Sequence, residues 1–405
     1  MKKSNIFLIF LFLFTKISFS QSSSTTLDVV GWNIEFYGDP SNGPSNDDLQ
    51  EANVKKVMRY LDADIYGLCE IVDTMRLRRL VDSLGTNYAY KIADFCSNNT
   101  SGTGPSWLNG QKLAFIYKIN IFSNISFRGY MRSSATAYTN FASGRFPYIM
   151  NANATINGFT RNINFIMIHG KAGSTVTDFD RRRAACEEMK DSMDLQYPNS
   201  INLIIGDYND ALNQTISIGA GPESSYDPIV VDSIDANHYK SITLPLAYLG
   251  QTTMINFPNV IDNHVISNEA VSYYIQGSAQ IRTDVTNVVP DYVTAHNTSD
   301  HWPVFSKYNL AGVVTGVPNV DPLELGIRVY PNPFDRELML TSTKILTDVQ
   351  MRVFNIHGQL ISSQHVTRIQ QGSTIRQPLP ALTNGIYFLS VETKQYKTVL
   401  KLTKL

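Results

Sequence analysis

The chain has 405 residues, which at about 100–200 residues per domain predicts two or three domains. Hydrophobic residues make up 43% and charged residues 17%, which excludes wholesale disorder, and three Cys exclude a disulfide-dense scaffold. A formal net charge of −1 excludes binding of nucleic acid by bulk positive charge, and a mean hydropathy of −0.14 argues against a polytopic membrane protein.

Lys2 and Lys3, the apolar run Ile6–Phe14 and Ser18-Phe19-Ser20 read as a secretory signal peptide cut after Ser20. As a helix, that run would rise about 14 Å against a hydrocarbon core of about 30 Å, too short for a transmembrane anchor. Strands are expected over Leu27–Asn33 and Ile65–Glu70, and helices over Asn46–Leu61 and Thr74–Leu84. Leu49, Val54, Val57 and Leu61 share the apolar face of the first helix. Further strands follow over Lys112–Tyr117, Tyr148–Ala154, Asn162–His169 and Ile201–Gly206, with a helix over Asp178–Met193 that carries Arg181, Arg182 and Arg183 as a solvated face. This mixture suits a layered α/β sandwich occupying residues 21–309. Gly and Pro punctuation marks residues 310–325 as a linker. Residues 326–405 hold short alternating runs: Ile327–Tyr330, Glu337–Leu340, Val349–Phe354, Leu360–Ser363, Ile386–Val391 and Lys397–Leu402, with a turn at His357-Gly358. They predict a small β-sandwich.

This division changes the charge. Residues 310–405 carry ten Lys+Arg and six Asp+Glu, and the first twenty residues carry three lysines. The middle therefore holds 21 basic and 29 acidic residues, a net −8. Such a carboxylate excess calls for solvation or a bound cation.

Apolar runs in the middle region deliver Asn33, Glu70, His169, Asp207, Asn209, Asp262, Asp300 and His301, each at or just past the C-terminal end of a strand. Catalytic and binding groups collect at such ends, where a rigid sheet meets water. One polar residue there would be a turn; six segments ending in carboxylate, amide or imidazole are hard to explain as turns.

The blocks "GWNIEFYG", "ADIYGLCEI", "GRFPY", "FIMIHGKAG", "IIGDYNDAL", "NVIDNHVIS" and "TSDHWPVF" resemble, in order, those of the endonuclease/exonuclease/phosphatase superfamily with the DNase I-like fold. That resemblance implies a four-layer αββα sandwich of two packed mixed sheets and metal-dependent cleavage of phosphate esters. "YPNPFDREL", "VFNIHGQLI", "ALTNGIYFLSV" and "LKLTKL" are similar to a type IX secretion C-terminal sorting domain of type A, which implies an Ig-like β-sandwich, export through the periplasm by the type IX machinery, and a secreted or surface location.

Residue roles follow from chemistry beside that resemblance. Asn33 and Glu70, with Asp300 as a third candidate, are oxygen ligands suited to Mg2+ or Mn2+, with Ca2+ as a further option. Glu35 shares Asn33's side by period two and reads either as an additional metal residue or as an exposed polar one. Asp207 and Asn209, sharing a face by the same period, suit an attacking water: the carboxylate takes its proton and the amide orients it. Asp210 reads as a turn residue. Asp262 and His301 form a carboxylate–imidazole pair that stabilises phosphoryl charge, and His169 serves the leaving oxygen. Arg145 and Lys171 are phosphate contacts, with solvation as the rival for Lys171. His264 is structural; His238, His296, His357 and His365 show no role. Cys69, Cys96 and Cys186 have no zinc spacing and allow at most one disulfide.

The leading expectation is a secreted, monomeric endonuclease with DNA before RNA as substrate. The alternative is a phosphatase or phosphodiesterase on a nucleotide, inositol phosphate or phospholipid head group. "GDYNDAL" and "IDNHVIS" lack the arginines of the inositol polyphosphate phosphatases, which lowers the inositide option. No stretch beyond the first segment is long and apolar enough for a stable membrane span.

Overall fold

The first unit runs β1 (Leu27–Tyr37), α1 (Asp47–Leu61), β2 (Ile65–Ile71), α2 (Thr74–Leu84), β3 (Tyr88–Ile92), α3 (Pro105–Leu108), β4 (Lys112–Lys118), β5 (Phe122–Gly129), α4 (Ala135–Asn140), β6 (Tyr148–Ile156) and β7 (Phe159–His169). It continues through α5 (Val176–Gln196), β8 (Ile201–Asp207), α6 (Asp227–Val230), β9 (Tyr239–Ser241), α7 (Leu244–Tyr248), β10 (Asp262–Ser267), α8 (Asn268–Val271), β11 (Gln280–Ile281) and β12 (Val304–Tyr308). The computed structural model describes residues 25–230, 237–312, 322, 326–356, 359–393 and 397–405. The expected signal peptide, most of the linker and the His357-Gly358 turn lie outside these residues. The chain divides into two units at Val313/Val314.

Two six-stranded mixed sheets build the first unit, in the orders β11-β12-β1-β2-β4-β3 and β5-β6-β7-β8-β10-β9. They pack face to face. Phe115 of β4 stacks on Tyr148 of β6 with ring centroids 5.6 Å apart. Gly67 of β2 leaves room for Met167 of β7 and Ile205 of β8. Helices α1 and α2 lie on the first sheet and α5, α6 and α8 on the second side, their apolar residues joining one core. This is the four-layer α/β sandwich expected.

Caps set the helix starts. Asn46 accepts the Leu49 amide, Asp73 accepts those of Met75 and Arg76, and Thr175 forms a capping box with Asp178. Leu49 is exposed rather than on the buried face; Gln50, Asn53, Val54, Val57, Met58 and Leu61 hold that face, because Gln50 turns inward to bond the carbonyls of Ile34, Glu35 and Thr298. Strands β3 and β5 carry polar residues that interrupt any apolar run.

The ends of several strands gather the site. Strands β1 and β2 run parallel in register to Asn33–Cys69, and β7 and β8 run parallel to His169–Asp207. One expectation is corrected here. Asp262 begins β10 and Asp300 and His301 precede β12, so they do not follow strand C-termini. Both strands are antiparallel to their neighbours, pairing Asp262 with Asp207 and Val304 with Gly31, which brings their N-terminal ends to the same edge.

The second unit holds β13 (Ile327–Tyr330), β14 (Glu337–Ser342), β15 (Leu346–Asn355), β16 (Leu360–Ile369), β17 (Thr374–Pro378), β18 (Gly385–Glu392) and β19 (Lys397–Lys404). Its two antiparallel sheets, β13-β14-β17 and β16-β15-β18-β19, share a core that includes Leu338, Leu340, Met351, Val353, Leu389 and Val391. This is the expected β-sandwich, with β17 added. No helix among the described residues is long and apolar enough to cross a membrane.

Candidate active site

Backbone irregularities aim the site residues. After Asn33 the β1–β2 register shifts, and Glu35, Phe36 and Glu70 all take left-handed φ values of 44°, 45° and 64°. Non-glycine residues pay for that conformation, and such outliers cluster at functional sites. The bulge frees the Phe36 amide to donate to Glu70 Oε2 at 3.0 Å and the Glu35 amide to donate to Asn33 Oδ1 at 3.0 Å.

Asp207 is the hub. Its Oδ2 accepts from Asn33 Nδ2 at 3.1 Å and Asn209 Nδ2 at 3.2 Å, and lies 3.5 Å from His169 Nε2. Its Oδ1 accepts from the Asn209 amide at 2.8 Å. Asn209 reaches Asp207 through this turn, at φ 52°, rather than through strand alternation, because β8 stops at Asp207. Glu70 Oε1 lies 3.6 Å from the same His169 nitrogen. On the other side His301 Nδ1 pairs with Asp262 Oδ2 at 2.7 Å, and His301 Nε2 lies 3.8 Å from Asp300. Asn33, Glu70, His169, Asp207, Asn209, Asp262, Asp300 and His301 thus form one connected group.

Burial shapes its electrostatics. Desolvation raises the Glu70 carboxyl and lifts Asp207 to about 6, where Asp262 adds like-charge repulsion. Burial, aided by Arg145 and His301, holds His169 well below its ordinary value, which favours the neutral imidazole. Burial also opposes charge on His301, but Asp262, its hydrogen bond, Asp207 and Asp300 outweigh it and lift the group well above its ordinary value. The two imidazoles are therefore pushed in opposite directions.

Several expectations change. Arg145 is buried and spends its donors on the carbonyls of His169 and Gly170 and on Gln111 Oε1, so it braces the backbone under His169 instead of facing a phosphate. Lys171 Nζ pairs with Asp178 at 2.8 Å and donates to the Ala172 carbonyl. Glu35 is buried, not exposed: its Oε1 meets His296 Nε2 at 2.6 Å while Oε2 has no hydrogen-bond partner. His296, to which the sequence assigned no role, sits there at φ 44°. Only proximity in the fold reveals it. His264 packs between the sheets with Nδ1 2.9 Å from Ser306 Oγ, a structural place. All three cysteines are buried free thiols. Arg182 is wholly buried rather than solvated.

Two sets of side chains offer ligand atoms that could hold a divalent cation. Glu70, Asn33, Glu35 and Asp300 offer only oxygens, and the buried Glu35 Oε2 lacks any protein donor. Asp207, Asp262 and His301 also bring ligand atoms within 4.8 Å of one another. Among the described residues that is the group of carboxylates and imidazole whose ligand atoms come so close, with Asp262 and His301 already paired within it.

Residues 328–404 match the family model of the secretion system C-terminal sorting domain. No curated protein matches the chain in sequence. Among solved structures the chain is similar to an endonuclease/exonuclease/phosphatase from Beutenbergia cavernae, at 12% identity over 94% of this chain and 100% of that one, with a TM-score of 0.50. It is also similar to an endonuclease/exonuclease/phosphatase from Bacteroides vulgatus (13% identity, 70% and 99% coverage, TM-score 0.48) and to the human Nocturnin catalytic domain with bound sulfate anion (14%, 70% and 94%, 0.46). The first unit thus has the endonuclease/exonuclease/phosphatase, or DNase I-like, fold. The chain joins it to a secretion system C-terminal sorting domain, which directs it through the secretion machinery to the cell surface or beyond.

Proposed function

We propose that the protein is an exported, divalent-cation-dependent phosphodiesterase that hydrolyses nucleic acid, DNA in the first place. The observation that carries the hydrolytic reading is the connected group in which Asp207 meets both Asn209 and His169, with the Asp262–His301 pair beside them. Glu70 and Asn33, with Glu35 and Asp300, would hold Mg2+ or Mn2+, which supplies positive charge for the developing phosphoryl oxygens. Asp207 accepts the proton of a water whose oxygen bonds to phosphorus, and Asn209 orients that water. His301, held charged by Asp262, donates a hydrogen bond to a phosphoryl oxygen, and a ring N–H of His169 donates to the leaving oxygen as the ester P–O bond breaks, that oxygen taking its proton from solvent while Asp207 returns its own.

A second reading, hydrolysis of a small phosphoester, is favoured by one observation. Arg145 and Lys171, the cations expected to grip a polyanion, are committed to the protein itself. The purified chain is to be offered plasmid, linear DNA, RNA, bis-p-nitrophenyl phosphate and sphingomyelin with Mg2+, Mn2+ or Ca2+. Cleavage of plasmid supports the nuclease, and cleavage of the small esters alone selects the second reading. Inertness toward all five refutes hydrolytic function.

A further inference from the structure

Arg182 is completely buried on α5, and each nitrogen of its guanidinium donates a hydrogen bond. Nη1 donates to the carbonyls of Lys171 and Gly173, each at 2.8 Å. Nη2 donates to Ser217 Oγ at 2.7 Å and Nε to Ser225 Oγ at 3.2 Å, and Nε lies 3.6 Å from Asp210 Oδ2. Asp210, equally buried, is saturated in turn. It accepts from the amides of Ala211, Ile216 and Ser225 and from the hydroxyls of Thr215 and Ser225. A desolvated charge pair held by this many hydrogen bonds is a rigid element, and removing either member leaves several buried groups unpaired.

The two segments this pair clamps carry site residues at their near ends. The first leaves β7 at His169 and passes through Gly170 to Gly173. The second leaves β8 at Asp207 and passes through Asn209 to Asp210. They touch where the Gly170 amide donates to the Asp207 carbonyl at 2.8 Å and Asn209 Nδ2 donates to the Gly170 carbonyl at 3.3 Å. The approach is so close that a Cβ on Gly170 would sit 2.3 Å from the Tyr208 carbonyl oxygen. Tyr226 Oη bonds that same carbonyl at 2.9 Å.

We infer that the Arg182–Asp210 pair is a positioning device, locking these two segments together so that His169 and the Asp207–Asn209 pair meet one phosphoester. Neither residue touches the reacting atoms. The inference rests on the hydrolytic reading of the site, but its mechanical part stands apart from it. Misplacement of reacting groups by about 1 Å costs on the order of a hundredfold in rate, so loosening this clamp acts on kcat more than on KM.

The test uses the full chain and Arg182→Lys, which keeps the charge but cannot reach all the partners at once. Hydrolysis of bis-p-nitrophenyl phosphate with Mn2+ gives kcat and KM, and amide hydrogen exchange is followed in peptides from β7 through Thr175 and from β8 through Tyr226. The expected result is a kcat lower by about tenfold or more with KM nearly unchanged, and faster exchange in both segments but not in β1 or β2. A folded variant with wild-type kcat, or with faster exchange in the second segment alone, overturns the inference. If Arg182→Lys does not fold, Ser217→Ala removes a single partner and decides on the same two readouts. If the wild type hydrolyses none of the five substrates offered above, the hydrolytic reading fails. The exchange arm then still decides: joint loosening of both segments supports the clamp, and separate behaviour refutes it.

Discussion

Asp262→Asn keeps the shape of a carboxylate and removes its charge. Asp262 Oδ2 lies 2.7 Å from His301 Nδ1 and both residues are buried. At that distance and an effective dielectric constant of about 20, the attraction is about 6 kcal/mol before desolvation is subtracted. Breaking one side of such a buried pair costs about 3–5 kcal/mol, since the imidazolium is left without compensation. His301 therefore loses its charge in the variant. Removing one donor aimed at developing charge lowers kcat by about 10²–10³-fold. His301→Ala is expected to do the same, and the double variant to be no worse than either, because each single change already removes the pair. The assay is bis-p-nitrophenyl phosphate hydrolysis with Mn2+ at saturating substrate, with circular dichroism to confirm folding. Losses that multiply in the double variant, or a kcat for Asp262→Asn within about threefold of wild type, would refute the reasoning.

Two further outcomes concern stability. Asp64 is 1% exposed, and burial lifts its carboxyl from 3.8 to about 6 despite the Asp28 amide and Lys118. A raised folded value means that the folded chain binds the proton more tightly. The contribution is therefore fully present below the unfolded value and lost as pH rises through about 6, a change of about 3 kcal/mol. Urea unfolding at pH 4 and pH 7 should show a pH-dependent loss smaller by about that amount in Asp64→Asn, and equal losses in the two proteins contradict the assignment. Gly206, just before Asp207, has φ 132°, and a Cβ there would meet the Ile168 carbonyl oxygen at 2.1 Å. Gly206→Ala should destabilise by about 3 kcal/mol or more through strain and backbone collision, and a melting temperature equal to wild type would show that the strands separate at no cost.

Much of the site was legible because polar residues at the ends of apolar runs are costly unless used. Asn33, His169 and Asp207 stand where parallel strands deliver them in register, and Glu70 follows Cys69 where that register shifts. Asp262 reaches the same edge by a different route, since antiparallel pairing, which a local pattern does not contain, puts the start of β10 there. The misjudged residues share one cause. Arg182 looks like a member of a charged helix face until Asp210, Ser217 and Ser225 surround it. Glu35 looks like an alternating strand residue until the bulge turns it toward His296. Arg145 looks like a phosphate ligand until the carbonyls of His169 and Gly170 claim it. In each case the partner is distant in sequence, so charge and periodicity alone could not assign the environment.

The central claim is that a cation held around Glu70 supports phosphoester hydrolysis at the Asp207 hub. The most direct measurement is turnover by the purified chain and by Glu70→Gln in Mg2+, in Mn2+ and after chelation. The account predicts turnover by the wild type that chelation abolishes, and none by a Glu70→Gln variant with unaltered circular dichroism. Turnover that survives chelation, or a Glu70→Gln variant as active as wild type, would contradict it.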